Sequence, residues 1–188
     1  AAPILAEERI ALNFLQHLSA IATKTAKFVK ALEATQTQVT DTRKTTPGLL
    51  ALEKYAVKTG GGRNHRFNLS DGILIKDNHI KAAGGIKKAI KKARENAPHT
   101  LKIEVEVENL DMLKEALESK ADIIMLDNMS LAQMKKAVDI VGGRALVEAS
   151  GNMGEEDLKT VSETGVDFIS VGALTHTVAA MDISLRFE

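Results

Sequence analysis

Residues Leu101–Ser150, LKIEVEVENLDMLKEALESKADIIMLDNMSLAQMKKAVDIVGGRALVEAS, decide the fold. Short apolar runs at Leu101–Val107, Ile123–Asp127 and Ala145–Glu148 alternate with amphipathic stretches of helical length at Leu110–Ser119 and Leu131–Val141. Gly142-Gly143 stops the second stretch. Strands and helices alternating over short connections predict parallel strands, because each helix then serves as a right-handed crossover.

The same rhythm extends in both directions. Strands are expected also at Gln38–Asp41, Ile73–Lys76 and Phe168–Val171, and helices at Gly48–Thr59, Ile86–Asn96 and Glu155–Glu163. Thr46-Pro47 reads as a helix start, with Thr as N-cap and Pro in the first turn. Gly60-Gly61-Gly62 and Gly165 read as helix ends. Phe14, Leu18, Ile21, Thr25, Phe28 and Leu32 recur at spacings of three and four, so the chain should open with one long helix. The predicted class is α/β: a (β/α) barrel, open or incomplete, of about six parallel strands behind a long N-terminal helix. A doubly wound sheet is the runner-up. The whole of 1–188 is read as a single domain, with 1–35 the leading helix and 36–188 the barrel.

Composition narrows the function. The 25 Lys+Arg residues balance 25 Asp+Glu, which argues against a nucleic-acid partner. No apolar run reaches membrane-spanning length, and the N-terminus lacks the pattern of a signal peptide, so the cytoplasm is the default expectation. The absence of Cys removes disulfides, thiolate nucleophiles and Cys-based metal sites. With aromatics at 3% and no Trp, ring stacking is not the main binding mode.

Against that neutral background, Arg43, Lys44, His65, Arg66 and Lys76 form a local cation cluster that suits a small, highly charged anion. Polar residues gather at the carboxyl ends of the expected strands, the rim where parallel α/β folds bind ligands. Glu104, Glu106 and Glu108 alternate with Ile103, Val105 and Val107 and so share one strand face. That face is either solvated, or it points into a barrel and needs cations or a metal. Asp127 is either the N-cap of the next helix or, with Glu106, a ligand for Mg²⁺ or ribose hydroxyls. Ser150-Gly-Asn-Met-Gly154 and Gly172-Ala-Leu-Thr-His176 are either ordinary turns or paired loops of a phosphate cup. Lys76 at a strand end also fits an imine-forming lysine, and His65 a general acid or base. His17 and His99 read as packing or solvent residues, and Lys87, Lys88, Lys91 and Lys92 as a solvated helix face.

Seven motifs in order carry a resemblance. They are Asp41-Thr-Arg-Lys-Thr-Thr-Pro-Gly48, Lys54-Tyr-Ala-Val-Lys-Thr-Gly-Gly-Gly62, Asn64-His-Arg66, Leu74-Ile-Lys-Asp-Asn-His79, Glu104-Val-Glu106, Met125-Leu-Asp-Asn128 and Val171-Gly-Ala-Leu-Thr-His176. Together they resemble the quinolinate phosphoribosyltransferases, from about Ala6 to the C-terminus. The resemblance implies transfer of phosphoribose from phosphoribosyl pyrophosphate to quinolinate with loss of CO₂, giving nicotinate mononucleotide for NAD synthesis. It implies that Arg43, His65, Arg66 and Lys76 hold the two carboxylates, and that Lys44 lies near the pyrophosphate. Glu106 and Asp127 would take the ribose and Mg²⁺, and Ser150, Gly151, Gly172 and His176 the 5′-phosphate. Arg9 would reach the neighbouring subunit of a homodimer.

The resemblance also implies an additional N-terminal α/β domain, so the chain is expected to begin after it, and Ile10 stands where Thr is expected. Three alternatives remain beside the leading reading: a nicotinate-type transferase, a Schiff-base aldolase using Lys76, and a barrel that binds ligand without turnover.

Overall fold

The structure, a computed structural model, describes residues 2–154 and 158–186. Its elements run α1 (Ala2–Ala31), β1 (Gln38–Thr40), α2 (Leu50–Thr59), β2 (Ile73–Ile75), α3 (Asp77–Ala83), α4 (Ile86–Asn96), β3 (Ile103–Val107), α5 (Leu110–Glu118), β4 (Ile123–Asp127), α6 (Leu131–Val141), β5 (Leu146–Ser150), α7 (Leu158–Ser162) and β6 (Phe168–Ser170). A 3-10 turn, Gly172–Leu174, follows β6.

All six strands are parallel, in the order β1-β6-β5-β4-β3-β2. That is the cyclic order of a barrel left open between β1 and β2. Arg63 occupies the free edge of β1: its amide donates to Val39 O at 2.9 Å, and its carbonyl accepts from Asp41 N at 3.2 Å. The helices form a continuous outer layer in the same order, and α1 fills the place between α7 and α2.

The two faces of the sheet differ in chemistry. Val39, Ile103, Val105, Val107, Ile124, Leu126, Val147, Ala149, Ile169 and Val171 belong to the hydrophobic core beneath the helices. Residues of the opposite parity, including Thr40, Glu104, Glu106, Met125, Glu148 and Ser170, line cavities inside the open barrel. Period-2 alternation thus separates a dry outer layer from a polar interior. Close packing of α1 on α2 depends on Gly60, where a Cβ would lie 2.4 Å from Ala22 O.

Several local expectations are corrected. Thr46 is not an N-cap and Pro47 is not helical: Leu49 N bonds Thr46 O at 2.9 Å in a turn containing Gly48 at φ 82°, and α2 begins at Leu50. Helix α3 is unexpected; at its start Lys76 N donates to His79 Nδ1 at 2.9 Å. Along α1 the buried stripe holds from Ile21 to Leu32, but Phe14 is 42% exposed, with Ile4, Leu5, Ile10 and Leu15 also open. Glu108 lies beyond the end of β3 and is exposed, so only Glu104 and Glu106 face inward. The expected helix Glu155–Glu163 is described from Leu158; its first three residues lie outside the described ones. No described helix is long and apolar enough to cross a membrane.

Candidate active site

A cavity of about 850 Å³ opens at the carboxyl ends of the strands. Arg43, Lys44, His65, Arg66, Lys76, Glu106, Asp127, Ser150, Gly151, Gly172 and His176 all line it. Of the expected site residues only Arg9 is elsewhere, exposed on the first half of α1.

The chain uses short-range devices to place these groups. β4 ends on Asp127, and Ser130, with Oγ accepting from Gln133 N, is the actual N-cap of α6. Asp127 is therefore free of capping duty and accepts instead from Asn128 Nδ2 at 2.9 Å. Gly151, at φ 99°, lies so close to the end of β4 that a Cβ would meet Asn128 Oδ1 at 2.3 Å. Lys44 crosses Gly172, where a Cβ would lie 3.4 Å from Lys44 Cδ and 3.0 Å from the His176 ring. Thr175 Oγ1 donates to Lys44 O at 2.7 Å, and Lys24 Nζ, from α1, donates to Ala173 O at 2.7 Å and Thr177 O at 2.9 Å. The leading helix thus anchors the 172–177 loop.

His65 and Arg66 are held by a buried network. Asp41 and Lys54, both 0% exposed, pair at 2.5 Å. Asp41 also accepts from His65 N at 2.8 Å and Asn64 Nδ2 at 2.7 Å, while Lys54 Nζ donates to His65 O at 2.9 Å. Arg66 Nη1 donates to Gly72 O at 2.9 Å. Burial and the charge of Arg43 both lower the Arg66 pKa, so two guanidiniums converge at the rim. Lys76 Nζ pairs with Glu106 at 2.5 Å.

The floor of the cavity is formed by His65, Glu104 and Glu148. His65 Nε2 donates to Glu104 Oε2 at 2.9 Å and lies 3.9 Å from Glu148 Oε1. Burial opposes the imidazolium, but the hydrogen bond and charge of Glu104, with the charge of Glu148, outweigh it and raise the His65 pKa. The Arg66 amide works the other way: it donates to His65 Nδ1 at 2.9 Å, and only an unprotonated nitrogen accepts. We place the His65 ring as the Nε2–H tautomer and the extra proton of the cluster on Glu148. Burial, then the charge of Glu104, push Glu148 up to about 8.

The folded state keeps a Glu148 proton that the unfolded chain releases near 4.5, so this group's stabilising contribution falls as pH rises from 4.5 to about 8. Thermal unfolding of the protein and of Glu148→Gln, compared across that window, should show the variant gaining relative stability with pH. A constant difference between them would contradict this.

Sequence reasoning had the rim but missed Glu148, Lys24 and the Asp41–Lys54 pair. Glu148 had a signal in sharing parity with Ser150 on β5, and Asp41 and Lys54 each head a motif, but nothing local pairs them. For metal binding, Glu106 and Asp127 offer hard oxygen donors from adjacent strands facing one cavity, a set that suits Mg²⁺ when substrate oxygens and water complete its shell. His65, Glu104 and Glu148 also hold donor atoms within 4.8 Å of one another, but the direct His65–Glu104 hydrogen bond already spans part of that space.

Fold and site together define an α/β-barrel domain with a cationic, glycine-lined rim at the carboxyl ends of its strands. The family model for the quinolinate phosphoribosyl transferase C-terminal domain matches residues 21–186, and the chain belongs to this family. A probable nicotinate-nucleotide pyrophosphorylase (carboxylating) of Bacillus subtilis is 50% identical over 185 residues, spanning 98% of this chain and 64% of the relative. The nicotinate-nucleotide pyrophosphorylase of Mycobacterium leprae is 45% identical, spanning 97% and 65%. The crystal structure of NadC from Streptococcus pyogenes superposes with a TM-score of 0.94 at 50% identity, spanning 98% of this chain and 65% of that one. The chain thus covers somewhat under two thirds of the length of these relatives.

Proposed function

We propose that the protein transfers the phosphoribosyl group of phosphoribosyl pyrophosphate to the ring nitrogen of quinolinate and releases CO₂, forming nicotinate mononucleotide. The observation that carries this reading is the convergence of Arg43 and Arg66 at one rim, with Lys76 beside them, opposite the Ser150–Gly151 and Gly172–His176 loops. Two adjacent carboxylates fit paired guanidiniums better than the single carboxylate of nicotinate does. The glycine-lined loops suit a phosphate, and Lys44 over Gly172 is in position to meet the leaving pyrophosphate. Departure of pyrophosphate leaves oxocarbenium character on the ribose, which the Glu106 and Asp127 carboxylates stabilise. Glu106 and Asp127 would hold Mg²⁺, which would supply charge neutralisation for the leaving group. Lys76, paired with Glu106, fits an anion-binding ammonium rather than an imine-forming amine.

The remaining parts of the reading are that 36–188 forms the catalytic barrel, that the enzyme works in the cytoplasm, and that it acts as a homodimer. In that dimer Arg9 would be donated to the neighbouring subunit, a reading supported by its exposure away from its own chain's cavity.

Incubation with quinolinate, phosphoribosyl pyrophosphate and Mg²⁺ should yield pyrophosphate, nicotinate mononucleotide and CO₂ in equal amounts. Product from nicotinate but not from quinolinate would favour the nicotinate-type reading. Quinolinate binding without product would leave a binding domain.

A further inference from the structure

We propose that Glu148 is the general acid that returns a proton to the pyridine ring carbon from which CO₂ has departed; the inference rests on the function proposed above. Ribosylation makes the ring nitrogen cationic, so the adjacent C2–carboxylate bond breaks with its electron pair left on C2. That carbon must take up one proton to give the monocarboxylate product. Without a proton it can recapture CO₂, so the donor has to lie at the bottom of the ligand cavity.

The rim is poorly suited to this task. Guanidiniums do not give up protons, Lys76 is paired with Glu106, and His65 directs its Nε2–H to Glu104. Glu148 sits on the cavity wall at 4% exposure, and its Oε1 has no hydrogen-bond partner among the described residues. A buried carboxyl oxygen without a partner is unfavourable for structure alone and suits a group that exchanges its proton with a ligand.

A second feature makes the assignment specific. Glu148 also lines a separate cavity of about 670 Å³, entered between Gln38, Ile73, Leu101, Ile123 and Phe168 at the opposite ends of the strands. His65, Arg66 and Glu148 line both cavities. Glu148 therefore faces ligand on one side and a path to solvent on the other. After giving its proton to C2 it is reprotonated from water in the lower cavity while ligand still fills the upper one. Burial and the charges of Glu104 from β3 and of Asp41, just past β1, favour the protonated carboxyl; His65 and the hydrogen bond to Ser170 from β6 work against it, and the balance keeps Glu148 protonated at neutral pH.

The test is rapid-quench analysis of the protein and of Glu148→Gln, which keeps shape and hydrogen-bonding capacity, with Glu148→Asp as a second variant. Pyrophosphate reports the first step and CO₂ the second. In Glu148→Gln the ribosylated dicarboxylate should accumulate, with CO₂ formed per pyrophosphate falling at least tenfold. Glu148→Asp should recover part of the second step. In the unaltered protein the second step should weaken as pH rises past the Glu148 pKa, and Glu148→Gln should lose that dependence. Equal slowing of both steps, or CO₂ keeping pace with pyrophosphate in a folded Glu148→Gln, would overturn the inference while leaving the proposed reaction standing. No pyrophosphate from the unaltered protein would instead defeat the reaction and the inference together.

Discussion

Lys54→Met is expected to lower the free energy of unfolding by about 3–5 kcal/mol, because it strands a buried carboxylate. Asp41 is 0% exposed and would keep only its bonds from His65 N and Asn64 Nδ2. Lys54 also donates to His65 O, so the substitution frees the His65 backbone from one of its two anchors. The damage should reach the site: His65 and Arg66 lie directly beyond this network, and ligand binding should weaken along with stability. Chemical denaturation read by circular dichroism measures the first effect. The double variant Lys54→Met with Asp41→Leu should regain part of the loss, since replacing both members leaves no unpaired charge. A loss for Lys54→Met below about 1 kcal/mol, the range of a surface ion pair, would show that the pair is not the anchor described here.

Arg66→Met should weaken quinolinate binding about 100-fold without lowering stability to match. In the proposed reaction the side chain makes charge-assisted hydrogen bonds to a quinolinate carboxylate, and losing roughly 3 kcal/mol of them corresponds to that factor. In the unliganded protein the same guanidinium is unfavourably placed, since burial and Arg43 both work against its charge. Its removal relieves that repulsion, which offsets the lost bond to Gly72 O. Arg66→Lys keeps the charge but not the fork, and should recover only part of the affinity. Isothermal titration with quinolinate at two salt concentrations would check both variants. Affinity within threefold of the parent would remove Arg66 from the ligand site.

The order of elements was legible because each depends on local pattern. β4 and helices α4 and α6 have the bounds that periodicity predicts, while β1 is only Gln-Val-Thr and β5 runs two residues past its expected end to Ser150. Errors came where a distant partner overrides a local signal. Thr46-Pro47 has the composition of a helix start, yet Gly48 at positive φ turns the chain first and Thr46 N is taken by Glu53 Oε2 at 3.2 Å. Phe14 continues a helical stripe, but the packing surface offered by α2, α7 and β1 serves mainly the later part of α1. The residues proposed to bind anions were readable because strand-end cations and glycine loops are local features that gather at the ligand-binding rim of parallel folds.

The sequence by itself determined a parallel α/β barrel, a cationic rim and membership of a family, since alternation, spacing and ordered motifs are properties of the chain taken a few residues at a time. Tertiary structure alone decided the floor of the site. Glu104 and Glu148 stand on strands separated by β4, and His65 comes from the segment at the open seam between β1 and β2. Their protonation depends on burial and on mutual distances of a few ångströms, and neither quantity exists until the sheet has curved and closed around them.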